Sequence, residues 1–409
     1  RLLLRGPADL ELRSVDAILL REGAASCFVS EIGQGFRIAT DEMEVIDVGT
    51  AFSIDVHRDR ESEVHVLEGS VEIKSPKREV LELKERHAIR MSDTGPIDVG
   101  YSPDRFPQPA SLRALQRDHG DKRHAAWQTN ARKLATDPTV LLHYTFDDAG
   151  EGSPIDGPRQ VGGQSHGVEV SNHAIGSGKA SNGAVIGCDW TEGRWPSKSA
   201  ILYRNADDRV LFQVPGVYRS LTFMAWIRID ALTQPITSLM MTEAPSRRRR
   251  FASTESQIAS DAVRRRLTST VQSVRWELNQ QQSNVLFSIG HGSGPPRDWR
   301  YEKFPAANAA TNADLWGKWI LVGVTCDTQR HQVVHYLNGA EIGQGELASD
   351  APLLLDFMEL GNFGISTDEL ERSAGLSQRR FYGAIDEVVI AERVFTPTEL
   401  RSLWEIGRP

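Results

Sequence analysis

Short runs of alternating apolar and polar residues, separated by glycine- and proline-rich turns, make up most of this 409-residue chain. Such period-2 runs are typical of β-strands with one buried face. In the second half of the chain, the runs LLHYTFDD, LTFMAWIRID, WILVGVTCD, VVHYLNGAEI and AIDEVVIAERVF follow one another without helical patterns between them. Many short strands joined by loops predict an antiparallel sandwich or barrel, so the chain is predicted to be mainly β.

Three prolines between Ser102 and Pro109 divide the chain. Because 409 residues exceed one ordinary hydrophobic core, two domains are expected. We predict a β-rich domain over residues 1–103, a helical linker over residues 104–138 and an antiparallel β-sandwich over residues 139–409, the last with a capped helix at its end.

The linker carries two helical patterns. The first begins at Ser111, which can cap a helix, and stops near Gly120. The second has one apolar stripe at positions i, i+4 and i+7, formed by Trp127, Ala131 and Leu134. A free amphipathic helix would show the same pattern, so docking of this stripe onto a neighbour is a hypothesis.

Three local motifs predict particular turns and a helix start. EVHVLEGSVEI reads as a hairpin that turns at Glu68-Gly69 and buries one face. Asn338-Gly339 predicts a type I′ hairpin turn, because both positions need a positive φ. Near the end of the chain, TPTELRSLWEIG predicts a helix with Thr396 as the N-cap of a capping box and an apolar face.

Composition limits the class of protein. Hydrophobic residues make up 40% and charged residues 25% of the chain, which is an ordinary globular balance, and the net charge of −8 argues against nucleic acid as the main partner. No stretch approaches the roughly 20 apolar residues that span a bilayer. Since the sequence begins at Arg1, we expect any signal peptide or membrane anchor to lie upstream of it.

The three cysteines, Cys27, Cys188 and Cys326, lack the C-x-x-C spacing of metal and redox sites. Cys188 and Cys326 fall in the same predicted domain and could pair in an exported protein. The alternative is that all three are buried free thiols.

A basic segment interrupts the strand patterns at residues 245–270. It holds seven arginines in two runs, Arg247–Arg250 and Arg264–Arg266, with many serines and threonines. Its composition predicts an insertion loop. Such a loop could grip an acidic polysaccharide or another polyanion, or it could simply be solvated.

The first hundred residues resemble the FecR family. The resemblance rests on VIDVGTAFSIDV and EVHVLEGSVEI, carried by Val48, Gly49, Thr50, Phe52, Val64, Val66, Glu68, Gly69 and Val71. It implies an extracytoplasmic β domain of a membrane-anchored regulator that controls a sigma factor. The membrane helix and the cytoplasmic part of such a regulator are not in this sequence.

Residues 139–409 resemble the laminin-G-like branch of the concanavalin A-like lectin/glucanase superfamily. The motifs are HYTFDD, SHGV, LTFMAWIRID, WILVGVTCD, VVHYLNG, LGNFG and FYGAIDEVVIAERVFTPTELRSLWEIG. The resemblance implies a jelly-roll sandwich. The order of FecR-like domain, helix and laminin-G-like domain also resembles exported proteins of planctomycete-type bacteria, which implies a periplasmic or extracellular location.

Catalytic motifs are missing from the sequence. A glucanase of this superfamily sets its carboxylates on one strand face as E-x-D-x-E, and no predicted strand has that spacing. Asp386 and Glu387 are adjacent in their predicted strand, so they are expected to point to opposite faces. We therefore predict that the protein is not an enzyme and has no catalytic residues.

A structural calcium ion is the one cofactor that the laminin-G resemblance implies. Its ligands would be Asp386 of the GAIDEV strand together with Asp147 or Asp148 of the first strand. Carboxylate oxygens suit calcium. Alternatively, Asp386 accepts backbone N–H bonds or pairs with an arginine.

Three tryptophans in polar stretches are the candidate ligand-binding residues. Trp190 and Trp195 lie in CDWTEGRWPSK, and Trp299 lies in PPRDWRYEK. Exposed rings there could stack on a sugar, whereas buried rings would anchor the loops.

These patterns together favour a cell-envelope binding or sensing protein. Its laminin-G-like domain would hold a carbohydrate or protein ligand, and its FecR-like domain would couple it to an anchor or a signalling partner. The alternatives are a structural surface or matrix assembly protein and a cryptic glycoside hydrolase. Upstream sequence with a membrane helix and a sigma-binding segment would favour sensing.

Overall fold

In the computed structural model of the protein, the strand patterns of the sequence form β-strands in two separate units, Arg1–Asp118 and His119–Pro409. The structure describes residues 1–30, 33–57, 60–76, 78–92, 94–147, 154–161, 164–175, 182–205, 208–242, 271–292, 300–307, 312–362 and 379–409. The basic segment at residues 245–270 and the candidate residues Trp299 and Asp148 lie outside these ranges. The prediction of a mainly β protein is confirmed.

The described part of the N-terminal unit contains ten strands. They are β1 (Leu2–Ser14), β2 (Ala17–Phe28), β3 (Arg37–Ala39), β4 (Glu44–Asp47), β5 (Ala51–His57), β6 (Arg60–Glu68), β7 (Ser70–Ser75), β8 (Arg78–Lys84), β9 (Ala88–Ser92) and β10 (Gly95–Asp98). Their order in the sheet is β10-β9-β6-β5-β2-β3-β4-β7-β8, and β1 pairs with β2. Apolar side chains from both ends of this order meet in one core, among them Ile18, Leu20, Ile38, Val45, Phe52, Val64 and Val71.

β6 and β7 are consecutive strands that do not pair with each other. β6 lies between β5 and β9, and β7 lies between β4 and β8. The predicted hairpin at Glu68-Gly69 is therefore wrong. The alternation of apolar residues records which face is buried, and the valines of both strands do lie in the core. It does not record the partner strand, because pairing depends on residues distant in sequence.

Gly69 connects β6 to β7 through a turn that packs on the turn before β5. Its φ is +78°, and a Cβ at this position would lie 2.8 Å from the carbonyl oxygen of Gly49 and 2.7 Å from Cγ2 of Thr50. Asp47 fixes the neighbouring turn, because its carboxylate accepts the backbone N–H of Gly49 at 3.0 Å and of Thr50 at 2.8 Å. Glycine is the residue that fits both the conformation and the close approach.

α1 (Pro109–Thr136) is one continuous helix, although the sequence predicts two. Gly120 was expected to end the first of them. A Cβ at Gly120 would lie 3.3 Å from Cδ of Pro196, so the glycine lets the loop around Pro196 pack closely on the helix. The boundary between the two units falls inside α1, and the apolar stripe containing Trp127 and Ala131 belongs to the C-terminal unit, where both side chains are buried.

The described part of the C-terminal unit contains seventeen strands and ends in a second helix. They are β11 (Val140–Tyr144), β12 (Pro154–Val161), β13 (Gln164–Val170), β14 (Gly183–Ile186), β15 (Asp189–Glu192), β16 (Ser199–Tyr203), β17 (Arg209–Tyr218), β18 (Ser220–Ile229), β19 (Ile236–Thr242), β20 (Val271–Asn279), β21 (Asn284–Gly292), β22 (Arg300–Ala307), β23 (Trp319–Asp327), β24 (Gln332–Leu337), β25 (Ala340–Glu346), β26 (Leu353–Leu360), β27 (Gly383–Ala391) and α2 (Pro397–Gly407).

These strands form a sandwich of two antiparallel sheets. One sheet has the order β15-β16-β27-β18-β23-β24-β25, and β11 pairs with β27. The other has the order β12-β13-β14-β17-β26-β19-β20-β21-β22. Between the sheets, Phe223 of the first lies 5.8 Å from Phe287 and 6.5 Å from Trp276 of the second, measured between ring centroids. The predicted antiparallel sandwich is confirmed.

The outer face of the eight-stranded sheet, which is the face turned away from this core, carries both helices. A second apolar cluster forms there, in which most members come from the sheet and α2, and Leu134 of α1 packs against it. Thr396 and Glu399 make the predicted capping box at the start of α2. Asn338 and Gly339 have the predicted positive φ values of 51° and 75°.

All three cysteines are free thiols, so Cys188 and Cys326 do not form a disulfide in this structure. Cys326 is buried in the sandwich core, and Cys188 packs against it. Burial raises the pKa of the Cys326 thiol to about 12, which keeps the thiol protonated and unreactive. Within the described ranges, no helix has the length and apolar character needed to cross a membrane.

We predict that Gly69→Ala destabilises the N-terminal unit by about 1–3 kcal/mol, because backbone strain at positive φ adds to the contact with the turn at Gly49. The variants Gly35→Ala and Gly100→Ala separate the effect of backbone strain from the effect of the close contact. At Gly35 the φ is +90° but no atom lies within 4 Å of the added Cβ, and at Gly100 there is neither a positive φ nor a close atom. In urea unfolding, the loss in free energy of unfolding should be largest for Gly69→Ala, smaller for Gly35→Ala and smallest for Gly100→Ala. Equal losses for Gly69→Ala and Gly35→Ala would contradict the packing role of Gly69.

Candidate functional site

Asp386 and Glu387 lie on the same face of β27, because the strand contains a β-bulge. Ile227 of β18 pairs with Ile385, and the next residue, Trp226, pairs with Glu387, so Asp386 is the extra residue. The prediction that the two carboxylates point to opposite faces is therefore wrong. A bulge places two residues opposite one and breaks the strict alternation of a strand. Both carboxylates lie on the outer face and are buried.

One guanidinium group joins the two carboxylates. Nε of Arg194 donates to Oδ1 of Asp386 at 2.7 Å, and Nη2 donates to Oε2 of Glu387 at 2.7 Å. The backbone N–H of Arg194 also donates to Oδ2 of Asp386, at 2.9 Å. Nη1 donates to the carbonyl oxygen of Gly407, at the end of α2, at 3.1 Å. The Arg194 side chain has no exposed surface. Its hydrogen bonds hold the turn between β15 and β16 onto β27 and α2.

Lys198 supplies a second buried positive charge. Its Nζ lies 3.0 Å from Oδ1 of Asp386 and donates to the main-chain oxygens of Asp386 and Thr145. Burial lowers the pKa of Lys198, and the charge of Asp386 opposes that effect. Two cations and two carboxylates therefore balance each other in a water-excluded region.

Tryptophan rings enclose these cations. The guanidinium carbon of Arg194 lies 5.2 Å from the ring centre of Trp127, 4.8 Å from that of Trp195 and 4.4 Å from that of Trp226. Nζ of Lys198 lies 4.6 Å from the ring centre of Trp127. Cation–π contacts of this kind stabilise most when the cation is desolvated, as it is here.

Glu387 continues the network to His143 on β11. Oε1 of Glu387 lies 2.8 Å from Nε2 of His143, and Oε2 accepts Nε1–H of Trp127 at 2.7 Å. Burial raises the pKa of Glu387, but the charge of Arg194, the hydrogen bond from His143 and the charge of Lys198 together lower it to about 2. Glu387 is therefore ionised at neutral pH, and an ionised carboxylate can only accept hydrogen bonds.

The low pKa of Glu387 gives a pH-dependent stability. A carboxyl group whose folded pKa is about 2, against an ordinary 4.5, stabilises the fold above pH 4.5 and loses that contribution as pH falls toward 2. We predict that Glu387→Gln destabilises the C-terminal unit at pH 7. The gap between the two proteins should narrow, by at most about 3 kcal/mol, as pH falls below 4.5. Urea unfolding at pH 7, 5, 4 and 3 measures the gap, and a constant gap would contradict the assignment.

A cavity of about 290 Å³ lies beside this network, between α1 and the segment that follows β11. Six of its nine lining residues have polar side chains, and the other three are Trp127 and two alanines of α1. The lining residues are Trp127, Gln128, Ala131, Arg132, Ala135, His143, Thr145, Asp147 and His173. This volume is close to the lower end of the range for small-molecule sites, about 300–1,000 Å³.

Asp147 is held at the cavity by a histidine of α1. Oδ2 of Asp147 lies 3.1 Å from Nε2 of His124, and Nδ1 of His124 lies 2.9 Å from the hydroxyl of Ser197. The His124 ring also stacks on Trp127 and Trp195, with ring centroids 5.5 and 5.6 Å away. The cavity wall is therefore fixed by the same turn that carries Arg194.

The residues present do not fit a calcium ion at Asp386. Arg194 and Lys198 contact Oδ1, and the backbone N–H of Arg194 contacts Oδ2, so a calcium ion would meet two buried cations. Asp147, the second predicted ligand, pairs with His124. In the part of the chain that the structure describes, no group of three Asp, Glu, His or Cys residues is placed to hold a metal ion. Asp386 instead makes the arginine pair that the sequence left as the alternative.

We predict that neither calcium nor EDTA shifts the melting temperature of the C-terminal unit. Asp386→Asn should instead destabilise that unit by about 3–5 kcal/mol, because Arg194 and Lys198 would lose their buried counter-charge. Asp350→Asn is the matched control, since residue 350 is exposed. Differential scanning calorimetry distinguishes the cases. A calcium-dependent rise in melting temperature that disappears in Asp386→Asn would establish the calcium site instead.

The predicted sugar-stacking tryptophans have different surroundings. Trp195 is 2% exposed and packs between His124, Trp127 and Arg194, so its ring has no free face, and the loop-anchor alternative describes it. Trp190 lies on β15 rather than in a loop and packs, half-buried, against the sandwich core. A ligand contact by Trp190 remains a prediction.

Sequence reasoning missed the residues that the structure brings together, namely His143, Arg194 and Lys198. Trp127 was identified only as part of an apolar stripe. His143 lies within the HYTFDD motif, and its polar ring inside an apolar strand is the signal that could have marked it. Arg194 and Lys198 lie in a polar stretch that gives no sign of their complete burial.

Comparisons with known proteins show what the C-terminal unit is similar to. A search of curated proteins finds no significant match. Among solved structures, domain 4 of AbnA, a GH43 extracellular arabinanase from Geobacillus stearothermophilus in complex with arabinotriose, is 16% identical, with 65% of this chain and 98% of that chain covered and a TM-score of 0.35.

Two toxin domains are similar to a comparable degree. The binding domain of Paraclostridial Mosquitocidal Protein 1 is 11% identical, with coverages of 65% and 52% and a TM-score of 0.38. The binding domain of botulinum neurotoxin serotype D is 9% identical, with coverages of 66% and 52% and a TM-score of 0.38. This chain spans about half the length of these two. Residues 205–401, which fall within the sandwich, match the laminin-G type of the concanavalin A-like lectin/glucanases superfamily.

Proposed function

We propose that the C-terminal unit is a carbohydrate-binding module that takes one sugar unit into the cavity beside α1. The observation that carries the proposal is the mixed lining of that cavity, in which polar side chains, two alanines and a tryptophan surround a space of about 290 Å³. A sugar ring presents hydroxyl groups around its edge and C–H groups on its faces. Side-chain amides, hydroxyls, carboxylates and guanidinium groups can bond the hydroxyls, while alanine and tryptophan surfaces contact the C–H groups.

Each type of partner is present around the cavity. Asp147 and Thr145 accept hydrogen bonds, Arg132 donates, and the Gln128 amide does both. Ala131 and Ala135 leave a small apolar surface on α1. The superfamily of residues 205–401 includes lectins, which supports a sugar ligand.

The module binds its ligand without turnover. Glycoside hydrolysis needs one carboxylic acid that stays protonated and a second carboxylate across the bond. Glu387 is ionised, and Arg194 and Lys198 hold Asp386, so neither residue can give up a proton to a leaving group. A cryptic glycoside hydrolase is therefore the weaker alternative, even though the two carboxylates share a face.

We further propose that the N-terminal unit couples this module to the cell envelope. Its resemblance to the FecR family supports a role beside a membrane anchor or in control of a sigma factor. A purely structural role in a surface layer would need no ligand in the cavity. Binding of a saccharide therefore separates the sensing proposal from the assembly alternative.

We predict that Ala135→Leu weakens saccharide binding at least about tenfold, because the larger side chain fills part of a small cavity. Ala126→Leu is the matched control, since residue 126 is exposed on the same helix and does not line the cavity. A glycan array on the full chain identifies the ligand class, and isothermal titration calorimetry with the free monosaccharide measures affinity. Equal affinities of the two variants would rule out this cavity as the site.

A further inference from the structure

His65 of β6 holds the segment that precedes α1 onto the sheet of the N-terminal unit. Its imidazole is fully buried, and Nδ1 accepts the backbone N–H of Ser102 at 3.3 Å. The rings of Tyr101 and Phe106 lie 6.3 and 4.7 Å from the imidazole, measured between ring centroids. Residues 101–106 therefore close over β6, and we call this segment the clasp.

The hydrogen bonds of the imidazole show that it is neutral when the clasp is closed. An atom that accepts a backbone N–H must present a lone pair, so Nδ1 of His65 carries no proton. The ring proton is then on Nε2, which lies 3.4 Å from Oε2 of Glu63 and can donate to it. A doubly protonated imidazole would set its Nδ1–H against the N–H of Ser102, and two donors cannot bond each other.

The surroundings of His65 disfavour a charged ring. Burial is the largest influence and lowers the pKa of His65 below its ordinary 6.5. Glu63 on the same strand and Asp55 on the neighbouring strand β5 act in the opposite direction, whereas the charge of Arg105 in the clasp adds to the lowering. The balance favours the neutral imidazole that the hydrogen bond from Ser102 requires.

Glu63 carries a second attachment of the clasp that does not change with pH in the range where a histidine titrates. Oε2 of Glu63 accepts Nη1–H of Arg105 at 3.1 Å, and Oε1 accepts Nε–H of Arg90 on β9 at 2.8 Å. Burial raises the pKa of Glu63, but the hydrogen bonds from Arg90 and His65 and the two arginine charges outweigh it and lower the pKa below its ordinary 4.5. Glu63 therefore stays ionised above pH 4.5. Arg5 of β1 also donates to the carbonyl oxygen of Arg105.

We propose that residues 101–106 are an acid-released clasp, which is closed while His65 accepts the N–H of Ser102 and opens when His65 takes up a proton. This goes beyond the saccharide site, because every residue involved belongs to the N-terminal unit. Opening exposes Nδ1 to water, and a ring that is protonated there cannot accept the N–H again. Since the closed form binds a proton less readily than the open form, the clasp is most stable above pH 6.5 and loses stability as the pH falls below it.

The test follows backbone amide hydrogen exchange of the full chain by mass spectrometry between pH 7.5 and pH 5. Exchange is expressed as a protection factor, so that the intrinsic pH dependence of amide exchange cancels. Protection in peptides that cover the clasp should be constant above pH 6.5 and fall by up to about tenfold per pH unit below it, because opening is coupled to one proton. Peptides from β5 should keep their protection. An equal loss in β5 would show that the whole unit opens, which overturns the proposal.

Variants of the three histidines in the N-terminal unit assign the effect to one ring. His65→Gln keeps an oxygen that can accept the N–H of Ser102 but has no group that titrates, so the clasp should stay protected at every pH tested. His57→Gln and His87→Gln are the controls, since both side chains are exposed, and they should keep the pH dependence. A pH dependence that survives in His65→Gln overturns the proposal.

Nitrogen-15 NMR of the imidazole rings in the unmodified protein gives a readout that does not depend on the folding of any variant. At pH 7.5, His65 should show a protonated Nε2 and an unprotonated Nδ1. Its Nδ1 should gain a proton over the same pH range in which the clasp loses protection. A protonated Nδ1 at pH 7.5, or protonation without loss of protection, overturns the proposal.

Discussion

The Arg194 guanidinium is the contact on which the outer face of the sandwich depends. Two adjacent carboxylates could not remain ionised on one buried face without a counter-charge between them. Arg194 reaches both and Lys198 adds a second charge, so the region is neutral although it is closed to water. The same guanidinium bonds the end of α2 and stacks on tryptophans of α1, of β18 and of the turn after β15.

Local sequence signals predicted local structure well. The capping box of α2 and the Asn338-Gly339 turn depend on residues three or fewer positions apart, and both form as expected. Strand pairing depends on distant partners, so the alternation around Gly69 gave the buried face but the wrong neighbour. Gly120 was misread for a related reason, because the loop that packs on it comes more than 70 residues later.

The candidate site also depends on contacts between residues distant in sequence, and the sequence predicted it less well than the fold. The run Val388, Val389, Ile390 is apolar on both faces of β27, so the sequence is compatible with an alternation that begins on either face. The bulge at Asp386 therefore left no trace in the pattern. Arg194 and Lys198 read as surface residues of a polar stretch, and only the fold reveals that they are enclosed.

The match to the superfamily and the cavity occupy different parts of the chain. Glu387 lies within residues 205–401, but the residues that line the cavity all precede residue 205. The matched segment therefore contains both buried carboxylates of the ion network, Asp386 and Glu387. The groups that line the cavity come from α1 and from the strands and loops that follow it.

The continuity of α1 also determines where a recombinant fragment of the C-terminal unit can begin. A recombinant fragment that began at β11, where the strand pattern starts, would lack Trp127 and the rest of the cavity wall. It would retain Glu387 and Arg194, with water entering where the helix had covered them. A fragment that keeps a dry ion network must therefore include the part of α1 that carries Trp127. A lectin assay on anything shorter would examine a different surface from the one that the whole chain presents.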